Sequence, residues 1–193
     1  TIKKGGINME KKYELTETVY RNFYRIKALK DFQLITGEMV KKGDLGGLVD
    51  GEHNLSQEGN CWIGYNTVVY DNSIVSGNAV MQDNSIVCGN SIVSGNAVMK
   101  DNSWAYDNST VSGNAVMQDN SVVCGNSIVS GNAIMKDYSW AKDNATISGN
   151  AVMKNFSRAY DNSIVSGNAI MKDYSCADGD SIITVTTDLL GTN

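Results

Sequence analysis

From Gly59 to Thr184 the hydrophobic positions recur every six residues without a break. A typical unit, Val75-Ser76-Gly77-Asn78-Ala79-Val80, reads aliphatic, small or polar, Gly or Asp, Asn, Ser or Ala, then a variable residue. The frame holds 21 such hexads, and Asn fills its slot in 17 of them. Asn tolerates the left-handed backbone region better than other non-Gly residues, so that slot is expected to be the left-handed residue of a tight corner. The preceding Gly or Asp completes the turn. Between corners lies a three-residue strand such as Ser73-Ile74-Val75, in which alternation points Ser73 and Val75 one way and Ile74 the other.

This pattern resembles the hexapeptide repeat of left-handed parallel β-helices, in which the aliphatic and the small residue point inward. The expected fold class is therefore all-β, a left-handed parallel β-helix over residues 59–184. Three hexads make one triangular coil, so 21 hexads make seven coils, and stacking at ~4.8 Å gives a prism about 30–35 Å long. The 18-residue period sorts the interior into columns. One reads Ile63, Met81, Met99, Met117, Met135, Met153, Met171, and a second reads Val69, Val87, Ala105, Val123, Ala141, Ala159, Ala177. Flexible thioethers filling the slack left by Ala explain the methionines better than a metal site does. The column of Ser76, Ser94 and Ser112 reads as a corner-bonding ladder, with no base beside it to make a nucleophile.

Two outward ladders are apolar: Val80, Val98, Val116, Ile134, Val152 and Ile170 on one face, and Ile74, Ile92, Ile128 and Ile164 among the residues of another. Surfaces of this kind mark interfaces. Left-handed β-helix proteins commonly form parallel trimers, so the first ladder is the expected homotrimer interface, unless the N-terminal segment covers it.

Residues 9–58 are expected to form a small β-rich cap, with KYELTE, RNFYRIKAL and GDLGGLV as its extended pieces, covering the open first coil. Gly43-Asp44-Leu45-Gly46-Gly47 lacks the Gly-Lys-Ser/Thr ending of a phosphate loop and reads as a turn. Met9 looks like a natural start, which makes residues 1–8 a vector-derived remnant or a disordered lead. Residues 185–193 leave the hexad and are expected to cover the far end. YRIKALKDF, KKGDLGGLV and NLSQEGNCWI, followed by the hexads, resemble the phage- and prophage-borne hexapeptide proteins of the YdcK type. That resemblance implies a phage setting in the bacterial cytoplasm, and a transferase-like label that rests on fold analogy alone.

Charge narrows the options. Residues 1–52 carry ten Lys/Arg against eight Asp/Glu, and the remainder six against thirteen, a net of −7. An acidic repeat lacks the basic stripe that nucleic acid requires. No apolar run approaches the ~18–20 residues of a spanning helix. Four cysteines without paired spacing suit a reducing compartment and do not make a zinc site.

The candidate chemistry is sparse. Acyltransferases of this fold use a histidine base, and the single histidine, His53, lies before the repeat in a polar linker. The face whose outward residues vary is more informative. It carries Trp104, Trp140 and Arg158, flanked by Tyr106, Lys142 and Tyr160 at one corner. At the neighbouring corner Tyr138, Phe156 and Tyr174 replace the turn Asn beside a row of lysines. Aromatics interleaved with cations suit a planar anion such as a nucleotide, and they also serve as protein-interface anchors. The leading expectation is a non-catalytic, homotrimeric binding protein of phage type, without a cofactor, that captures a partner protein or a small anionic ligand and so counteracts a host defence. The alternative is an acyl-CoA-dependent, acyltransferase-like enzyme using His53.

Overall fold

In a computed structural model the chain is a left-handed parallel β-helix with an N-terminal cap, described over residues 2–4, 7–20 and 22–185. Two-residue strands stack in register 18 residues apart, Val80 beside Val98 and Ile74 beside Ile92. They build three faces. The methionine face runs from Trp62–Ile63 to Ile170–Met171, the variable face from Val68–Val69 to Cys176–Ala177, and the isoleucine face from Ile74–Val75 to Ile182–Ile183. Each strand buries its second residue, so the Met, Val/Ala and Val/Ile columns together form the core.

The corners differ in a way the repeat alone does not announce. At the first corner (70–73 and equivalents) and the second (76–79 and equivalents), the left-handed residue is the Asp or Gly before the Asn, as at Asp71 and Gly77. The Asn there serves another purpose. Its amide donates to the Asn one coil on, Asn78 to Asn96 to Asn114 at 3.0 and 2.9 Å. The expectation that Asn supplies the left-handed residue holds only at the third corner (82–85 and equivalents), where Asp83 and Asn84 both have positive φ. No such amide ladder links Asn84, Asn102 and Asn120 among the described residues. The Ser76 column does bond its corner, through its backbone carbonyl, which accepts the Ala79 amide at 3.3 Å.

The cap contains β1 (Ile2–Lys4), β2 (Ile7–Met9), β3 (Tyr13–Tyr20), β4 (Phe23–Ala28), β5 (Phe32–Gln33), β6 (Met39–Val40) and β7 (Leu45–Val49). β1 and β2, which span most of the segment expected to be a vector-derived remnant or disordered and reach Met9, pair antiparallel. β3, β4 and β7 extend the sheet of the variable face to ten strands. Coiling starts earlier than the hexad frame. β7 pairs parallel with the first variable-face strand, and Leu55 bridges to Val75, each at a 20-residue offset. Seven full coils plus this partial one give about eight turns. The glycine-rich stretch is a turn only at Gly43-Asp44, and Leu45–Val49 is strand. Gly46 and Gly47 are needed there because a Cβ would lie 2.6 Å from the Ile63 carbonyl oxygen or from that of Thr67.

Polar contacts fasten the cap. Gln57 mimics a strand partner, its Oε1 accepting the Lys12 and Tyr13 amides while its Nε2 donates to the Tyr13 carbonyl. Asn54, fully buried, donates to the carbonyls of Asp71 and Ser73. Lys12, also fully buried, sits over the open first coil and donates to the carbonyls of Gly59 and Cys61 and to the Cys61 sulfur at 3.1 Å. The β5–β6 hairpin lies against the methionine face: Phe32 packs edge-on to Trp62 at 5.5 Å, and Gln82 donates to Glu38. Val80 lies between Trp62 and Gln82 and is fully buried within the chain, so this first residue of the expected interface ladder has no surface to offer a sister chain. The other five remain half-buried. Of the expected tail cover, residues 186–193 lie outside the described residues.

Candidate functional site

Trp104 and Trp140 project outward from the variable face two coils apart, about 9–10 Å, with half-buried Val122 between them. Their side chains are 44% and 39% exposed. Where Trp points out, the inward partner is Ala105 or Ala141. The two rings and Val122 form a cleft of about 480 Å³, whose remaining wall comes from the first corner: Asp71, Cys88, Gly89, Tyr106 and Asp107.

That wall is ordered by bonds between coils. Asp71 accepts the Gly89 amide and Asp107 the Gly125 amide, each through Oδ2 at 3.2 Å. Both carboxylates are therefore fixed in direction, and the second oxygen of each has no partner among the described residues. The Tyr70 hydroxyl donates to the Cys88 sulfur and Tyr106 to Cys124. This bond, with burial and nearby carboxylates adding to it, pushes Tyr70 up to about 12 and Tyr106 higher still. Burial raises the Cys88 thiol. The Tyr70 bond opposes that rise, and Asp71 and Asp107 add to it. The phenols and thiols beside the cleft are therefore neutral at physiological pH, and its formal charges are the two carboxylates.

The basic residues picked out from the sequence stand one step along. Arg158 points outward on the strand beside Trp140 and forms no ion pair among the described residues. Lys142 lies in an adjoining groove of about 400 Å³ with Trp140, Tyr160, Asp143, Asp161 and Asp178, its Nζ 4.0 Å from Asp143. Tyr138, Phe156 and Tyr174 do not line the cleft. They stack on the third corner, with centroids 5.0 Å apart and planes 5° from parallel. The lysines of that corner neutralise its own carboxylates, Lys100 with Asp101 at 3.3 Å and Lys136 with Asp137 at 3.6 Å. Such exposed pairs contribute little energy.

His53 is used by the cap. Its Nε2 meets the Asp71 carbonyl at 2.7 Å, and since a carbonyl only accepts, Nε2 is the donor. Nδ1 faces the Gly51 backbone, where a Cβ would fall 2.5 Å away. Among the described residues no group of three His, Cys, Asp or Glu side chains is placed to hold a metal. All four cysteines are free thiols, and of these only Cys176 is exposed. Among the described residues no helix is long and apolar enough to cross a membrane.

Reading from the sequence missed Asp71, Asp107 and Cys88, because Asp in a corner looks like turn chemistry alone. A signal was present. Tyr70 and Tyr106, Asp71 and Asp107, and Trp104 and Trp140 each repeat at 36 residues, twice the coil, which a purely structural hexad does not require. No protein-family model matches the chain, and no curated protein matches it, so the hexapeptide likeness rests on the repeat and the fold.

Proposed function

We propose that this chain is a non-catalytic binding protein that captures a partner protein through the cleft between Trp104 and Trp140. The cleft carries the reading. Two exposed tryptophans on a rigid sheet, separated by a small aliphatic floor, are the kind of residue that dominates interface energy. His53, the base an acyltransferase would need, is committed to the Asp71 carbonyl, and no observation at the cleft favours acyl transfer over binding. Assembly as a homotrimer through Val98, Val116, Ile134, Val152 and Ile170 belongs to the same proposal, supported by the unbroken half-buried aliphatic ladder they form. The motifs shared with phage- and prophage-borne hexapeptide proteins support a role in the host cytoplasm against a host defence, and free thiols suit that compartment. A nucleotide-like anion would instead have to lie over Arg158 and Lys142.

Native mass spectrometry of protein purified gently from host cells tests this. The expected result is a trimer carrying a bound partner that Trp104→Ala/Trp140→Ala loses and His53→Ala keeps, with the trimer intact in both. Loss of the bound species with His53→Ala alone would favour the enzyme reading, and a monomer would remove the assembly proposal.

A further inference from the structure

We infer that the occupant of the Trp104–Trp140 cleft is a planar cation, the guanidinium of an arginine side chain presented by the partner protein. The inference rests on the cleft being a binding site and adds the chemistry of what enters it.

Spacing comes first. A group held midway between the two tryptophan coils lies about 5 Å from each, inside the ~6 Å over which a ring face attracts a cation. A flat guanidinium can meet both rings at once, whereas an ammonium offers no faces. Charge comes second. Both charged residues lining the cleft are acidic, Asp71 and Asp107. The backbone amide of Gly125 fixes one oxygen of Asp107, one coil from the midpoint between the rings, and leaves the other for the forked donors of arginine, while Asp71, three coils from that midpoint, adds only to the field. An anion in the same place would face two carboxylates with no cation among the lining residues. The same field acts on the neighbouring thiol, whose protonation Asp71 and Asp107 both favour.

Extent comes third. The variable face continues past the cleft to the exposed stack of Tyr138, Phe156 and Tyr174. A protein carrying the arginine would cover that stretch, and a free small cation would not. The net charge of −7 beyond residue 52 also draws in a basic partner.

Tryptophan fluorescence provides the test, since Trp62 is 95% buried and a ligand-dependent change reports the two cleft rings. The probes are a short Gly/Ser peptide with one arginine, the same peptide with neutral, isosteric citrulline, and adenosine monophosphate. Saturable binding of the arginine peptide is expected, with citrulline at least about tenfold weaker. Asp107→Asn should weaken the arginine peptide by about fivefold or more without unfolding the chain. Asn accepts the left-handed backbone at φ 63, and its side-chain carbonyl can still take the Gly125 amide. Equal binding of the arginine and citrulline peptides overturns the inference. Tighter binding of the nucleotide also overturns it but leaves the cleft as the site. No saturable change with any probe removes the binding reading along with the inference.

Discussion

Phe156 lies face to face with Tyr138, ring centroids 5.0 Å apart and planes 5° from parallel, although both residues hold left-handed backbone at φ 63 and 60. Bulky side chains avoid that region, at a cost of about 1–2 kcal/mol each. The third corner tolerates them because no ladder of asparagine amides depends on that position. Parallel stacking on both sides returns about 0.5–1.5 kcal/mol per contact.

Phe156→Asn, which restores the usual repeat residue, sets those terms against each other. Two stacks are lost and backbone strain is relieved, so the urea unfolding free energy should change by less than about 2 kcal/mol. A loss well beyond that would make the stack a structural clamp and remove it from consideration as exposed binding surface.

Gly95 and Gly37 are both left-handed, at φ 68 and 92, and their replacement by Ala should separate steric contact from backbone strain. At Gly95 a Cβ falls 2.9 Å from the backbone nitrogen and oxygen of Gly113, the same corner one coil on. At Gly37, in the β5–β6 turn, it meets nothing within 4 Å. Gly37→Ala should lower stability by about 1 kcal/mol, the strain alone. Gly95→Ala should lower it by about 3 kcal/mol or more, since it also forces two coils apart. Equal effects in chemical denaturation would mean that neighbouring coils can part freely at this corner.

Lys12 gives the cap a pH signature. Burial holds its ammonium below the ordinary value of 10.5, so the folded chain releases that proton earlier than the unfolded chain does. Between the lowered value and 10.5 the unfolded state binds more protons, and raising pH favours folding. Tyr13 works in the opposite sense. Burial first, then Glu52 and Cys61, raise its phenol above 10.0, so its contribution is complete below that pH and lost above it. Relative to Lys12→Met, wild-type stability should therefore rise as the pH approaches 10.5 from below, measured by urea midpoints at each pH. A fall over the same range would show that the carbonyl contacts outweigh desolvation.

The helix was legible in the sequence because a two-residue strand and a tight corner admit little else. Ser73, Ile74 and Val75 face as alternation requires, and the methionine column is interior throughout. What escaped notice depends on contacts between coils and with the cap. Val80 looks identical to Val98 in the hexad, yet the hairpin of β5 and β6 reaches its neighbours and it is buried, while Val98 is not. Leu45, Gly46 and Gly47 read as part of a glycine turn because the need for missing side chains arises from Ile63 and Thr67, which are distant in sequence. At the cleft the aromatic members were visible one by one. The acidic members were not, because Arg158 and Lys142 stand out in the sequence, whereas Asp71 and Asp107 blend into the corners they help to build.

The carboxylate-to-amide bonds of the first corner also bear on how such a chain can change length. Asp71 is followed one coil later by Gly89, and Asp107 by Gly125, so acceptor and donor alternate from Asp71 to Gly125, whereas beyond it Asp143 is followed by Asp161. Removing a single 18-residue coil between them would set Asp71 against Asp107, carboxylate against carboxylate. Removing 36 residues would leave each acceptor facing a glycine amide and one tryptophan coil fewer. Between Asp71 and Gly125, duplication or deletion in steps of two coils keeps every acceptor on a glycine amide, and each such step adds or removes one ring of the cleft.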